Sequence, residues 1–112
     1  MRELCRLADI PDGTARSFGP ALGGFTGLFA VRRGGQAFVY VNACPHVGAS
    51  LDAMPGRFLT ADGAAIVCGV HGARFGIEDG VCTAGPCVGA ALEAVPVQIV
   101  DGIITVPRDA GL

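Results

Sequence analysis

Two short stretches carry the side chains best suited to chemistry. "VNACPHVGAS" (41–50) sets Cys44 and His46 on either side of Pro45, and "IVCGVHGARF" (66–75) sets Cys68 and His71 with two residues between them. These are the only two histidines in the chain. Each box offers one soft thiolate and one borderline imidazole, a mixture suited to iron–sulfur or zinc sites. Together the boxes make a Cys₂His₂ set with two ligands per loop. A zinc finger pairs cysteine with cysteine and histidine with histidine, the latter on a helix. Here each box mixes the two types, and neither sits in a helix-forming stretch. The competing readings are a structural zinc knot or four ordinary buried residues.

The boxes need strands to present them. "FVYVNA" runs into the first and "AAIV" into the second. Upstream, "FTGLFAVRR" and "QAFVYVNA" flank Gly34-Gly35, a two-residue hairpin turn that exploits glycine's tolerance of positive φ. "RFLT" and "AAIVC" flank Ala61-Asp62-Gly63, and "ARFGI" and "VCT" flank Glu78-Asp79-Gly80. "PVQIV" and "IITVP" flank Asp101-Gly102, the strongest hairpin signal present. "ELCRLADI" reads as a further strand ended by Pro11-Asp12-Gly13. No segment sustains a helical apolar period over three turns, and only "VGAALEAV" has room for one helical turn. The pattern predicts an all-β domain of many antiparallel strands.

Composition narrows the function classes. A chain of 112 residues suits one domain. About half the residues are apolar, enough for a core without disulfide staples. The eight basic residues are all arginine, and a net charge of -2 argues against nucleic acid as the main partner. No run is long enough to cross a bilayer, so a soluble, cytoplasmic protein with no membrane partner is the expectation. Five cysteines in such a setting point to metal ligation or burial rather than a disulfide framework.

The order C-x-H…C-x-x-H is the one a Rieske [2Fe–2S] centre needs, with both cysteines on one iron and both histidines on the other. Through "CPHVGASL", "CGVHGARF", the following "DG" and the later "GP", the sequence resembles the Rieske iron–sulfur domain family. The resemblance covers essentially all of residues 1–112, since "ALEAVPVQIVDGIITV" looks like the family's closing strands. It implies stacked antiparallel sheets, with a small cluster-binding subdomain at about 42–87 on basal strands from 1–41 and 88–112. It implies a [2Fe–2S] cluster held by Cys44 and Cys68 on the inner iron and by His46 and His71 on the outer one. Gly85-Pro86 resembles the proline-bearing loop that covers the cluster from a third side. Gly48, Gly72, Ala73, Phe75 and Pro86 would then lie around the ligands. Twenty-one residues separate His46 from Cys68, somewhat more than in many members, and the extra length falls in "MPGRFLTADG".

The same resemblance separates subtypes. A hydroxylase subunit would need further histidines for a mononuclear iron, and none remain. Respiratory members carry one extra cysteine in each box, where this chain has Ala49 and Val70. High-potential members resemble "HGSxY" after the second box. Here Ala73 and Phe75 supply neither hydroxyl, so the reduced cluster should be less stabilised and its potential low and nearly independent of pH around neutrality. The implied role is a monomeric one-electron carrier between a ferredoxin reductase and a terminal oxygenase or similar oxidoreductase, met in small transient contacts. It would do no substrate chemistry of its own. The alternatives are a small Rieske subunit of a larger oxidoreductase, such as a nitrite reductase, and a cluster-based redox sensor. Cys5 reads as a core hydrophobe, and Cys82 and Cys87 as buried free thiols close enough to pair. Arg74 is placed near the cluster rim, Arg32 and Arg33 in solvent. Met54, Pro55 and Phe58 are candidates to shield the cluster.

Overall fold

The computed structural model describes residues 2–19, 27–45, 51, 57–69, 72–85, 87–108 and 110. Ten strands run through them: β1 (Arg2–Arg6), β2 (Ala15–Phe18), β3 (Leu28–Arg33), β4 (Gln36–Val41), β5 (Ile66–Val67), β6 (Arg74–Phe75), β7 (Cys82–Ala84), β8 (Ala94–Val95), β9 (Gln98–Val100) and β10 (Ile103–Val106). The only helical piece among the described residues is a 3₁₀ turn over Leu7–Asp9. The expected all-β fold is therefore present, in three antiparallel sheets ordered β1-β10-β9, β2-β3-β4-β8 and β5-β6-β7.

The middle sheet explains the stacking. On β3 the run Leu28, Phe29, Ala30, Val31 is buried at every position. Period-two geometry sends alternate side chains to opposite faces, so a strand buried throughout must be covered on both sides. Phe29 and Val31, with Tyr40 of β4, pack into one core with Ile66, Phe75 and Cys82 of the β5–β7 sheet. Leu28 and Ala30, with Ala37, Val39 and Val41, pack into a second core with Ile104 and Val106 of β10. Phe58 belongs to the first core, stacked on Phe29 at 4.7 Å between ring centroids. One buried hydrogen bond joins two layers: the Tyr40 hydroxyl donates to the Ile77 carbonyl at 2.6 Å.

The turns fall where the sequence places them. Arg33 pairs with Gln36 across Gly34-Gly35, and Val100 with Ile103 across Asp101-Gly102. In the latter turn both residues have positive φ, 52° and 77°, the geometry that Asp-Gly accommodates in a tight hairpin. Three expectations need correction, and one strand adds to those the sequence marks. "ELCRLADI" is strand only to Arg6, because Asp9 accepts from the Arg6 backbone N–H at 3.2 Å and turns the chain into the 3₁₀ segment. β2 was not foreseen, its four residues carrying one charged and one hydroxyl side chain. "VGAALEAV" forms no helix, since Gly89 has φ 94° and Ala91 bridges back to Val81. Arg32 is not simply solvated: its guanidinium donates to the Gly34 carbonyl at 2.9 Å and the Ile10 carbonyl at 3.0 Å.

Candidate metal centre

The two boxes open from neighbouring elements. β4 ends at Val41 and Asn42-Ala43 lead to Cys44, while β5 ends at Val67 and leads directly into Cys68. Both cysteine side chains are 1% exposed and belong to the same core. The two ends of the second box are bonded to each other: the Cys68 N–H donates to the Ala73 carbonyl at 2.8 Å, and the Gly72 N–H donates to the Cys68 carbonyl at 2.9 Å. Gly72 sits at φ 71°, the left-handed region that lets the turn close.

Leu51 joins the two boxes. Its N–H donates to Asn42 Oδ1 at 2.9 Å, and its carbonyl accepts from the Gly69 N–H at 2.8 Å. Asn42 lies two residues before Cys44 and Gly69 one residue after Cys68. A fully buried leucine thus carries hydrogen bonds to residues flanking both buried cysteines. The loop after β7 touches the second box from another side. A Cβ on Gly85 would lie 2.8 Å from Ala73 Cα, so only glycine allows this approach.

Of the expected site residues, Ala73 and Phe75 are buried beside the second box and Gly72 forms its turn. His46, Gly48, His71 and Pro86, together with Met54 and Pro55, lie outside the described residues. Among the described residues no three ligating side chains are placed to hold a metal ion. Arg74 is exposed on β6 and lines a cleft of about 280 Å³ with Arg57, Val67 and Gly69, next to the second box.

The remaining cysteines differ. Cys5 is half-buried on β1 against the second core, and burial raises its pKa. Cys82 and Cys87 are buried free thiols, with the Cys87 thiol donating to Cys82 Sγ at 3.0 Å and the Cys82 thiol donating to the Ala84 carbonyl at 3.2 Å. Burial first, then Cys82 and Cys44 beside it, push Cys87 up to about 12. Sequence reasoning missed both the contact of Cys87 with Cys44 and the Leu51 tie. A carboxamide at Asn42, ending an apolar strand just before a ligand box, was the available signal for the latter.

The donor chemistry fits an iron–sulfur group. Two cysteine side chains buried in one core offer the soft sulfur ligands that iron–sulfur groups prefer. Fold and site together define a small all-β domain with two buried cysteines on loops tied through Leu51. The Rieske [2Fe-2S] domain model matches residues 2–102, and the chain belongs to that family. It accordingly binds a [2Fe–2S] cluster.

Solved structures agree. A chain in the complex of reduced oxygenase and oxidized ferredoxin in carbazole 1,9a-dioxygenase is 28% identical, with a TM-score of 0.77 over 98% of this chain and 94% of that one. The ferredoxin of carbazole 1,9a-dioxygenase from Nocardioides aromaticivorans IC177 is 27% identical, with a TM-score of 0.73 over 95% and 97%. The Sphingomonas yanoikuyae B1 ferredoxin is 30% identical, with a TM-score of 0.73 over 93% and 94%. No curated protein sequence matches.

Proposed function

We propose that this protein is a Rieske-type ferredoxin that carries single electrons from a reductase to a terminal oxygenase. The observation that carries the reading is the pair of buried thiols, Cys44 and Cys68, on two loops tied together through Leu51. Cys44 and Cys68 would hold the inner iron, and His46 and His71 the outer one, within a cluster-binding part at about 42–87. When bound, the cluster would supply one-electron chemistry; Cys44 and Cys68 would hold the buried iron out of water, and His46 and His71 would offer the electron its way out. Likeness to ferredoxins of similar length, one of them from an oxygenase complex, supports the oxygenase as acceptor.

A low potential follows from Ala73 and Phe75, which bring no hydroxyl to the cluster sulfurs. Among the described residues no helix is long and apolar enough to cross a membrane, and the free thiols fit work in the cytoplasm. The test is an anaerobic titration followed by transfer. The protein should take up one electron per chain and return it when mixed with the oxidised terminal oxygenase of a carbazole 1,9a-dioxygenase. A centre that cannot be reduced reversibly, or that never reoxidises against that acceptor, contradicts the reading.

A further inference from the structure

We propose that Arg57 and Arg74 make a docking cleft beside the second box for carboxylate side chains of the protein that accepts the electron. The inference rests on the ferredoxin reading and adds to it the chemistry of the partner's contact surface.

The cleft has a volume of about 280 Å³, and its lining includes Arg57, Leu59, Val67, Gly69 and Arg74. Main-chain pairing holds its walls. Leu59 bridges to Ile66, the Val67 N–H donates to the Phe58 carbonyl at 2.8 Å, and Val67 pairs with Arg74 across β5 and β6. Phe58, between Arg57 and Leu59, is anchored by its stack on Phe29. Two exposed arginines therefore stand on a fixed frame.

Their charge is not spent within the chain. Among the described residues the ion pairs are Arg6–Asp9 and Arg33–Glu78, and neither involves Arg57 or Arg74. Asp62, in the adjoining turn, feels the charge of Arg74 without an ion pair to it. Its Oδ1 accepts instead from the Thr60 hydroxyl at 2.5 Å and the Ala64 N–H at 3.0 Å. Two guanidiniums against one carboxylate leave a positive excess, in a chain whose net charge is -2. The excess is thus local to the cleft and not a general basicity.

A guanidinium fork matches a carboxylate, and half-buried Leu59 and Val67 suit the short hydrocarbon stem that carries one. Val67 and Gly69 flank Cys68, and His71 follows two residues later. A partner seated here would lie against the box from which the electron leaves. Exposed charges of this kind add little affinity but speed and orient an encounter, which is what a transient redox contact needs.

Arg57→Gln/Arg74→Gln removes both charges, and Arg6→Gln/Arg108→Gln removes two from β1 and the end of β10 as the matched control. Poly-L-glutamate binding to oxidised holoprotein, followed by calorimetry at low salt, should weaken about tenfold in the first variant and little in the control. Inorganic phosphate should give no saturable heat. Reduced holoprotein is then mixed in anaerobic stopped flow with ferricyanide, an anion, or tris(phenanthroline)cobalt(III), a cation, each taking one electron. In the first variant the ferricyanide rate should fall about tenfold at low salt and the cobalt rate should rise. Both differences should vanish with added salt, whereas a changed potential alone would move the two rates the same way. Unchanged poly-glutamate binding, an equal loss in the control, or saturable phosphate binding would overturn the docking cleft and leave the ferredoxin reading standing. A centre that accepts no electron would overturn the ferredoxin reading, and the cleft's role with it.

Discussion

Leu51→Ala probes the tie between the two ligand boxes. Leu51 is fully buried and packs in the core that contains Cys44 and Cys68. Truncation removes most of its apolar side chain and leaves a cavity that the surrounding sheets fill only in part, a loss of about 3 kcal/mol for such a site. For a domain of this size that corresponds to a fall in Tm of about 12 °C. The main-chain hydrogen bonds to Asn42 and Gly69 survive the substitution but lose the packing that holds them in place. Leu92→Ala is the matched control, because Leu92 is also buried in this core, yet its N–H donates to Gly80 rather than to either box. Both variants should be destabilised to a similar degree, measured by thermal unfolding. Bleaching of visible absorption under mild chelation, well below either Tm, should be faster in Leu51→Ala than in Leu92→Ala. Equal bleaching rates would refute the idea that Leu51 specifically couples the boxes.

Two further outcomes concern single side chains. Tyr40 is the only tyrosine and the chain has no tryptophan, so its ionisation can be followed alone in the near ultraviolet. Burial first, then Asp79 and Glu78, push it up to about 12. The folded pKa exceeds the unfolded one, so this contribution to stability is complete below pH about 10 and is lost as pH rises toward 12. Stability should fall over that window in the native protein and not through this route in Tyr40→Phe; a tyrosinate signal at the ordinary pKa with the fold intact would contradict it. Ala73→Ser adds a hydroxyl beside the second box. A hydrogen bond favouring the reduced cluster by about 1.4 kcal/mol raises a one-electron potential by about 59 mV. No rise in a redox titration would remove the argument for a low potential.

Much of this was legible because certain residues admit few alternatives. Cys44, His46, Cys68 and His71 form a cysteine–histidine pattern that zinc fingers do not use and that marks the family, and Asp101-Gly102 and Gly34-Gly35 mark hairpins whose register the strands then follow. What stayed hidden depends on the third dimension. "LFAV" on β3 lacks alternation, which signals burial on both faces, but its sequence could not say which strands supply the two cores. "VGAALEAV" has apolar residues enough for a helical turn, but the Val81–Ala91 bridge and the Gly89 backbone override that local preference. The hydrogen bonds of Leu51 span nine residues on one side and eighteen on the other, and nothing in its neighbours' identity announces them. The contact between Cys82 and Cys87 is partly visible as spacing, but the loop's seat on Ala73 is visible only in the fold.

The most direct test of the central claim is the content of the metal centre itself. Anaerobically purified protein is assayed for iron, acid-labile sulfide and zinc, and its EPR spectrum is recorded after dithionite reduction. Equal iron and sulfide, with a rhombic signal of low average g, is the predicted result. Zinc without sulfide would contradict the account and leave a structural metal domain with no electron to carry.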